Sequence, residues 1–225
     1  MIASSASGSA QENIDSLWGE WKNEEQSDTL RLNALYRYIW FGFLFSAPDS
    51  AYALTFTFEE FARARQQKSE IASAYYYRGV SRALAGKDVE AIALYETGLG
   101  LAYEYNVNLG IIDNFYNALG ISYENVGEYE KSLDAYKHAL KIREAKGHIP
   151  RITTTMTSIG LLYDAMSDYD TAIAIHKKSI ELSRGVGDEK GIATALNNLA
   201  TTYVSIGDQP KANECLEEAL IIFKK

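Results

Sequence analysis

"NALGISYENVGEYEKSLDAYKHAL", residues 117–140, carries small residues at Gly120, Ser132 and Ala139 and tyrosines at Tyr123, Tyr129 and Tyr136. The same layout recurs in "YYYRGVSRALAGKDVEAIALYETGL" (75–99), "TSIGLLYDAMSDYDTAIAIHKKSI" (157–180) and "NNLATTYVSIGDQPKANECLEEAL" (197–220). Its first small position is Gly79, Gly120, Gly160 and Ala200, at separations of 41, 40 and 40. A second falls twelve residues later, at Ala91, Ser132, Ala172 and Ala212, and a third at Gly98, Ala139, Ser179 and Ala219. Self-similarity at a fixed period is the signature of an array whose units stack on copies of themselves.

Each unit reads as two helices. Leu119, Tyr123 and Val126 recur at helical spacing, so they share one face. Gly86, Gly127, Ser167 and Gly207 then mark a turn, and acidic residues follow near the positive end of the next helix. Small side chains at three fixed places allow helix axes to approach to about 8–10 Å. Because one pair cannot bury both of its faces, neighbours must stack. The expected fold is all-α, a right-handed α-solenoid of about five helix-turn-helix units.

These residues resemble the tetratricopeptide repeat family. Its pattern of an aromatic or large residue, Leu-Gly, Tyr, Gly turn, Ala, aromatic and Ala is met by Tyr116, Leu119-Gly120, Tyr123, Gly127, Ser132 in place of Ala, Tyr136 and Ala139. Other copies depart from it: His176 and Leu216 replace the second aromatic, and Arg78 and Arg82 replace Leu and Tyr. The period is about 40 rather than 34, as in the long-period repeats of kinesin light chains and many bacterial sensory proteins. The strong resemblance covers residues 71–225.

Shifting the register back by one period places Leu35 and Ile39 in a degenerate first unit. The expected organisation is a tail at 1–11, a capping helix at 12–24, and repeats at 28–70, 71–110, 111–150, 151–190 and 191–225. "ENIDSLWGEWKNE" puts Ile14, Leu17, Trp18 and Trp21 on the capping face. The last helix still carries Leu220, Ile222 and Phe223 with no polar helix after it, so the array is expected to continue or to pack on another copy.

Composition narrows the function. A net charge of −8 disfavours non-specific binding to nucleic acid or anionic lipid. The longest apolar run, Ala34–Phe45, contains Arg37 and falls short of the roughly 20 residues a bilayer span needs. Gly8 and Ala10 before Gln11 resemble a signal-peptidase site without a charged or apolar region ahead of it. An export remnant would place the protein in the periplasm, whereas a disordered tail or tag would leave it cytoplasmic.

No catalytic residues or metal ligands are assigned, and no cofactor is implied. His138, His148 and His176 form no metal-binding spacing, and the single cysteine, Cys215, has no histidine near it in sequence. "GLGLAYEY" lacks the strand and lysine of a phosphate loop. For Arg78 and Arg82 the counter-ions on offer are Glu59, Glu60 or an aspartate of a binding partner, and the favoured reading is a structural ion-pair network between the first two units.

In the resembled family the first helices line a peptide-binding groove. Matching positions here are Tyr76 and Tyr77; Asn114, Asn117 and Glu124; Thr154, Thr157, Leu161 and Asp164; and Thr194, Asn197, Asn198 and Thr201. Asparagine offers donor and acceptor together, so such a row suits the backbone of an extended segment. Glu124 and Asp164 favour a neutral or basic one. The expected function is a non-catalytic scaffold for a protein or peptide. "SDTLRLNALYRY" followed by "APDSAYAL" also resembles the front end of bacterial signalling proteins, where such arrays precede a histidine kinase, nucleotide cyclase or DNA-binding output. A homodimeric assembly module and a small-molecule or enzymatic solenoid are the alternatives.

Overall fold

A computed structural model describes residues 14–224. The proposed tail and the Ala10–Gln11 junction lie outside these residues. Among the described residues the regular structure is entirely α-helical. A short helix α1 (14–22) precedes five helix pairs. The pairs are α2 (Asp28–Gly42) with α3 (Pro48–Ala64), and α4 (Lys68–Leu84) with α5 (Asp88–Glu104). They continue with α6 (Leu109–Asn125) and α7 (Tyr129–Lys146), α8 (Ile149–Ala165) and α9 (Tyr169–Gly185), and α10 (Glu189–Ser205) and α11 (Gln209–Phe223). No described helix is long and apolar enough to cross a membrane.

The helix boundaries follow from local chemistry. All three prolines sit in the first turn of a helix, at Pro48, Pro150 and Pro210, where the missing N–H has no partner to lose. Asp168, Asp188 and Asp208 cap α9, α10 and α11 through side-chain oxygens that accept from Thr171, Gly191 and Lys211 backbone N–H groups. Within four pairs the turn passes through a left-handed residue: Gly86, Gly127, Ser167 and Gly207, with φ of 72°, 80°, 63° and 80°. Glycine adopts that region freely; Ser167 does so against the Cβ–carbonyl clash.

The small positions are where helices touch. Ala91, Ser132, Ala172 and Ala212 have no exposed surface. A Cβ added to Gly79, Gly120 or Gly160 would stand 2.2, 2.4 or 2.4 Å from the ring of Tyr95, Tyr136 or His176. The ring sixteen residues onward therefore lies directly on the glycine's backbone.

The chain divides into two compact bodies, one ending at Ala118 and the other beginning at Leu119. In the N-terminal body, Trp21, Leu35, Ile39, Phe58 and Ala74 belong to one core. Helix α1 joins it through Trp18 against Tyr38 (ring centroids 4.8 Å apart) and Trp21 edge-on to Phe61 (4.7 Å). The two arginines at apolar repeat positions are buried there. Arg78 pairs with Glu59 and lies 3.8 Å from the Phe56 ring centre; Arg82 pairs with Asp49 at 2.8 Å and covers Tyr52. Glu59 was an expected partner; Asp49 replaces Glu60 as the other. Removing Glu59 would leave the buried Arg78 charge without its partner, typically a cost of about 3–5 kcal/mol, whereas Asp49 is exposed and its pair with Arg82 is open to solvent on that side. The C-terminal body builds its core from Ile180, Ile192, Leu196, Leu199, Tyr203 and Ala212, with Tyr136, Ile159 and Leu162 in an adjoining cluster. Leu216, Leu220 and Phe223 on α11 are exposed.

Candidate functional site

In the C-terminal body the first helices of successive pairs, α8 and α10, lie side by side. Thr154, Thr157, Leu161 and Asp164 follow one another at three- and four-residue steps, so they form a stripe along α8; along α10 the adjacent pair Asn197 and Asn198 lies three and four residues from both Thr194 and Thr201 and forms a matching stripe. Between the N-terminal halves of the two helices is a cavity of about 300 Å³, lined by Thr154, Thr157 and Thr194 with Asp188 and Lys190. The structure therefore brings three of the expected groove residues together. Asn197 and Asn198 continue the stripe, half-buried, and Thr201 is exposed beyond them.

The hydrogen bonds decide what this surface can offer. Thr154 Oγ1 donates to the Pro150 carbonyl (2.8 Å), and Thr201 Oγ1 to the Asn197 carbonyl (3.1 Å). Each hydroxyl proton is thus engaged one turn back, leaving the oxygen's lone pairs as acceptors. Donors on this stripe come from the Asn197 and Asn198 amides, from Lys190 and from the hydroxyls of Thr157 and Thr194. A surface carrying both suits a peptide backbone, which presents N–H and C=O in alternation.

Asp164 differs from the expectation. Its Oδ2 accepts from Thr202 Oγ1 at 2.9 Å and lies 3.3 Å from His176 Nε2, so the carboxylate ties α8 to α9 and α10. Glu124, twelve residues before Tyr136, behaves alike: its Oε2 accepts from the Tyr136 hydroxyl at 3.1 Å. Burial raises the Glu124 carboxyl above the usual glutamate range, opposed by the Tyr136 hydrogen bond. Both acids are half-buried supports behind the helix face.

In the N-terminal body Asn114 and Asn117 are half-buried on α6. Tyr76 is packed inward, its ring edge-on to Phe115 (5.6 Å) and tilted against Tyr95 (5.9 Å). Tyr77 is the residue that faces α2. It lines a cavity of about 140 Å³ with Asn33, Tyr36, Glu70 and Ser73. Asn33 and Ser73 were not among the expected residues, yet they precede Asn114, Thr154 and Thr194 in one register, at separations of 40, 41, 40 and 40. The period alone could have identified them.

A larger cavity, about 390 Å³, lies among α9, α10 and α11. Ile180, Leu199 and Cys215 line it, and an ion pair between Arg184 and Glu218 stands at its edge. Cys215 occupies the register of Ile175. Burial pushes the Cys215 thiol up, away from the reactive thiolate. Among the described residues no three His, Cys, Asp or Glu side chains are grouped to hold a metal ion.

The sequence model of the tetratricopeptide repeat family matches residues 111–185 and 151–225. No curated protein sequence gives a significant match. Among solved structures, BtubC (BKLC) from P. vanneervenii aligns over 96% of this chain and 89% of its own, with a TM-score of 0.82 and 17% identity. The putative kinesin light chain TPR-like repeats from Podosopora anserina align over 88% and 96%, with a TM-score of 0.70 and 14% identity. A signal transduction ATPase with a tetratricopeptide repeat sensor from Pyrococcus horikoshii aligns over 93% of this chain and 31% of its own, with a TM-score of 0.72 and 17% identity. At these identities the likeness is one of fold.

Proposed function

The chain belongs to the tetratricopeptide repeat family, and from that premise we propose that it is a non-catalytic scaffold that grips an extended peptide or protein segment along the first helices of its repeats. The observation that carries this reading is the cavity between α8 and α10, where Thr154, Thr157 and Thr194 meet beside Lys190. The amides of Asn197 and Asn198 continue along the same helix as donors. An extended backbone is the ligand whose own groups alternate to match.

The wider role we assign is a sensory or regulatory input region of a bacterial signalling protein, with a histidine kinase or nucleotide cyclase output outside this chain. The repeat sensor of the Pyrococcus horikoshii ATPase is a precedent for that use of the fold. Selection of random extended peptides on the immobilised chain tests the binding function. Enrichment of sequences whose affinity falls in Asn197→Ala supports it; enrichment of none, or of binders indifferent to that change, rejects it. The exposed Leu216, Leu220 and Phe223 favour a second reading, self-association through α11. Light scattering over a range of concentrations tests it, and a monomer throughout rejects it.

A further inference from the structure

The first-helix surface of the N-terminal body has a different chemistry. Tyr36 stacks on Tyr77 with ring centroids 4.9 Å apart and planes at 26°. Trp40, one turn further along α2, lies 5.8 Å from Tyr36 and edge-on to Tyr77 at 6.5 Å. Phe45 meets Trp40 edge-on at 6.3 Å and is 72% exposed. Three half-buried or exposed rings thus follow one another at intervals near 6 Å, beside the 140 Å³ cavity. Leu32 and Phe58, both buried, give that cavity an apolar wall. Exposed Asn33 and half-buried Glu70 and Ser73 give it a polar one.

We propose that this aromatic row docks a proline-rich segment in the polyproline II conformation, with a basic side chain of that segment beside Glu70. The inference rests on the peptide-binding reading and names the partner for one part of that surface. Polyproline II has no internal hydrogen bonds, so its carbonyls are bare and can accept from the Asn33 amide. Its pyrrolidine rings are compact and apolar, matching both the faces of Tyr36 and Trp40 and a cavity with room for one small ring. At about 3.1 Å per residue, two residues of such a segment span one ring-to-ring interval. A docked α-helix would instead need a continuous apolar trough, and here Asn33 and Glu70 interrupt the apolar lining. The segment is already extended when free, so little conformational entropy is lost on docking. The Glu70 carboxylate supplies the charge that sets direction and prefers lysine or arginine to an acid.

The test is titration of the whole chain with an oligoproline peptide ending in lysine, read by calorimetry and by tryptophan fluorescence, to which Trp40 contributes. A glycine–serine peptide of the same length and an oligoproline ending in glutamate are the controls. The expected result is saturable binding of the lysine peptide with a fluorescence change, weaker by about tenfold in Tyr36→Ala. Binding is expected to weaken in Asn33→Ala and with the glutamate peptide, and to be unchanged in Lys177→Ala, which lines the separate cavity among α9, α10 and α11. Asn33 is exposed, so its variant keeps the test intact if Tyr36→Ala fails to fold. No binding up to about 1 mM peptide, equal binding of the glycine–serine control, or binding indifferent to both variants overturns the proposal. So does a dimer that Tyr36→Ala dissociates, which would assign the aromatic row to a second copy. If selected peptides without proline bind and are weakened by Asn197→Ala, the general peptide-binding reading stands while this one fails.

Discussion

The imidazole of His176 lies against the backbone of Gly160 so closely that a Cβ built on Gly160 would stand 2.4 Å from Cε1. Tyr95 on Gly79 and Tyr136 on Gly120 repeat the contact. Gly160→Ala is therefore expected to destabilise the chain by about 1–3 kcal/mol through overpacking, although alanine is the better helix former by about 1 kcal/mol. Removing the ring in the double variant Gly160→Ala/His176→Ala is expected to recover part of that loss, giving a total smaller than the sum of the singles. Urea denaturation of the four proteins measures this. Additive effects, or a Gly160→Ala variant as stable as wild type, would place the contact elsewhere.

His176 also gives the fold a dependence on pH. Its side chain is fully buried, Nε2 faces Asp164, and Nδ1 has no hydrogen-bond partner among the described residues. Burial lowers its pKa below the ordinary 6.5, and the Asp164 hydrogen bond and charge oppose that only in part. The unfolded chain therefore takes up a proton first as pH falls. The neutral ring's contribution is complete above about pH 6.5 and declines below it, down to the folded-state value. Glu124 has the opposite sign: its carboxyl is raised in the fold, so its ionised form costs stability above the folded pKa and the cost disappears as pH falls through it. Thermal melts from pH 7.5 to pH 5 are expected to show a smaller loss of Tm in His176→Phe than in wild type. Parallel curves would refute the assignment.

Ser167 holds φ at 63° in a turn where the equivalent residues are Gly86, Gly127 and Gly207. A side chain in this region costs about 1–2 kcal/mol, and glycine returns part of that by being more flexible when unfolded. Ser167→Gly is expected to stabilise the protein by about 0.5–1 kcal/mol, and Gly127→Ser to destabilise it by a similar amount. Chemical denaturation at neutral pH reads both, and opposite signs would show that the turn's side chain is stabilised by something other than backbone freedom.

The repeat architecture was legible because small residues recurring at a fixed period mark the places where helices of like units touch, and Gly79, Gly120 and Gly160 each carry a ring on their backbones. Less of the site could be read. Asn33 was hidden because Ile39 stands where the later copies have glycine or alanine, which blurs the register of the first repeat. Tyr76 and Tyr77 are adjacent in sequence, and only the packing shows that one turns towards Phe115 and the other towards Tyr36. Asp164 and Glu124 looked like groove charges because their partners, His176 and Tyr136, lie across a helix turn and meet them only after the pair has closed. Donor and acceptor character was also unreadable: whether Thr154 offers a proton depends on a bond to Pro150 that helix geometry creates.

Calorimetry with one selected peptide measures whether the polar stripe of α8 and α10 holds an extended segment. The comparison is among wild type, the double variant Thr157→Ala/Asn197→Ala, and Lys177→Ala at the cavity among α9, α10 and α11. The double variant is expected to bind at least about fivefold more weakly, a loss near 1 kcal/mol in keeping with one or two hydrogen bonds. Its Tm should stay close to wild type, and Lys177→Ala should bind normally. Unchanged affinity in the double variant together with a loss in Lys177→Ala would move the site to the cavity among α9, α10 and α11.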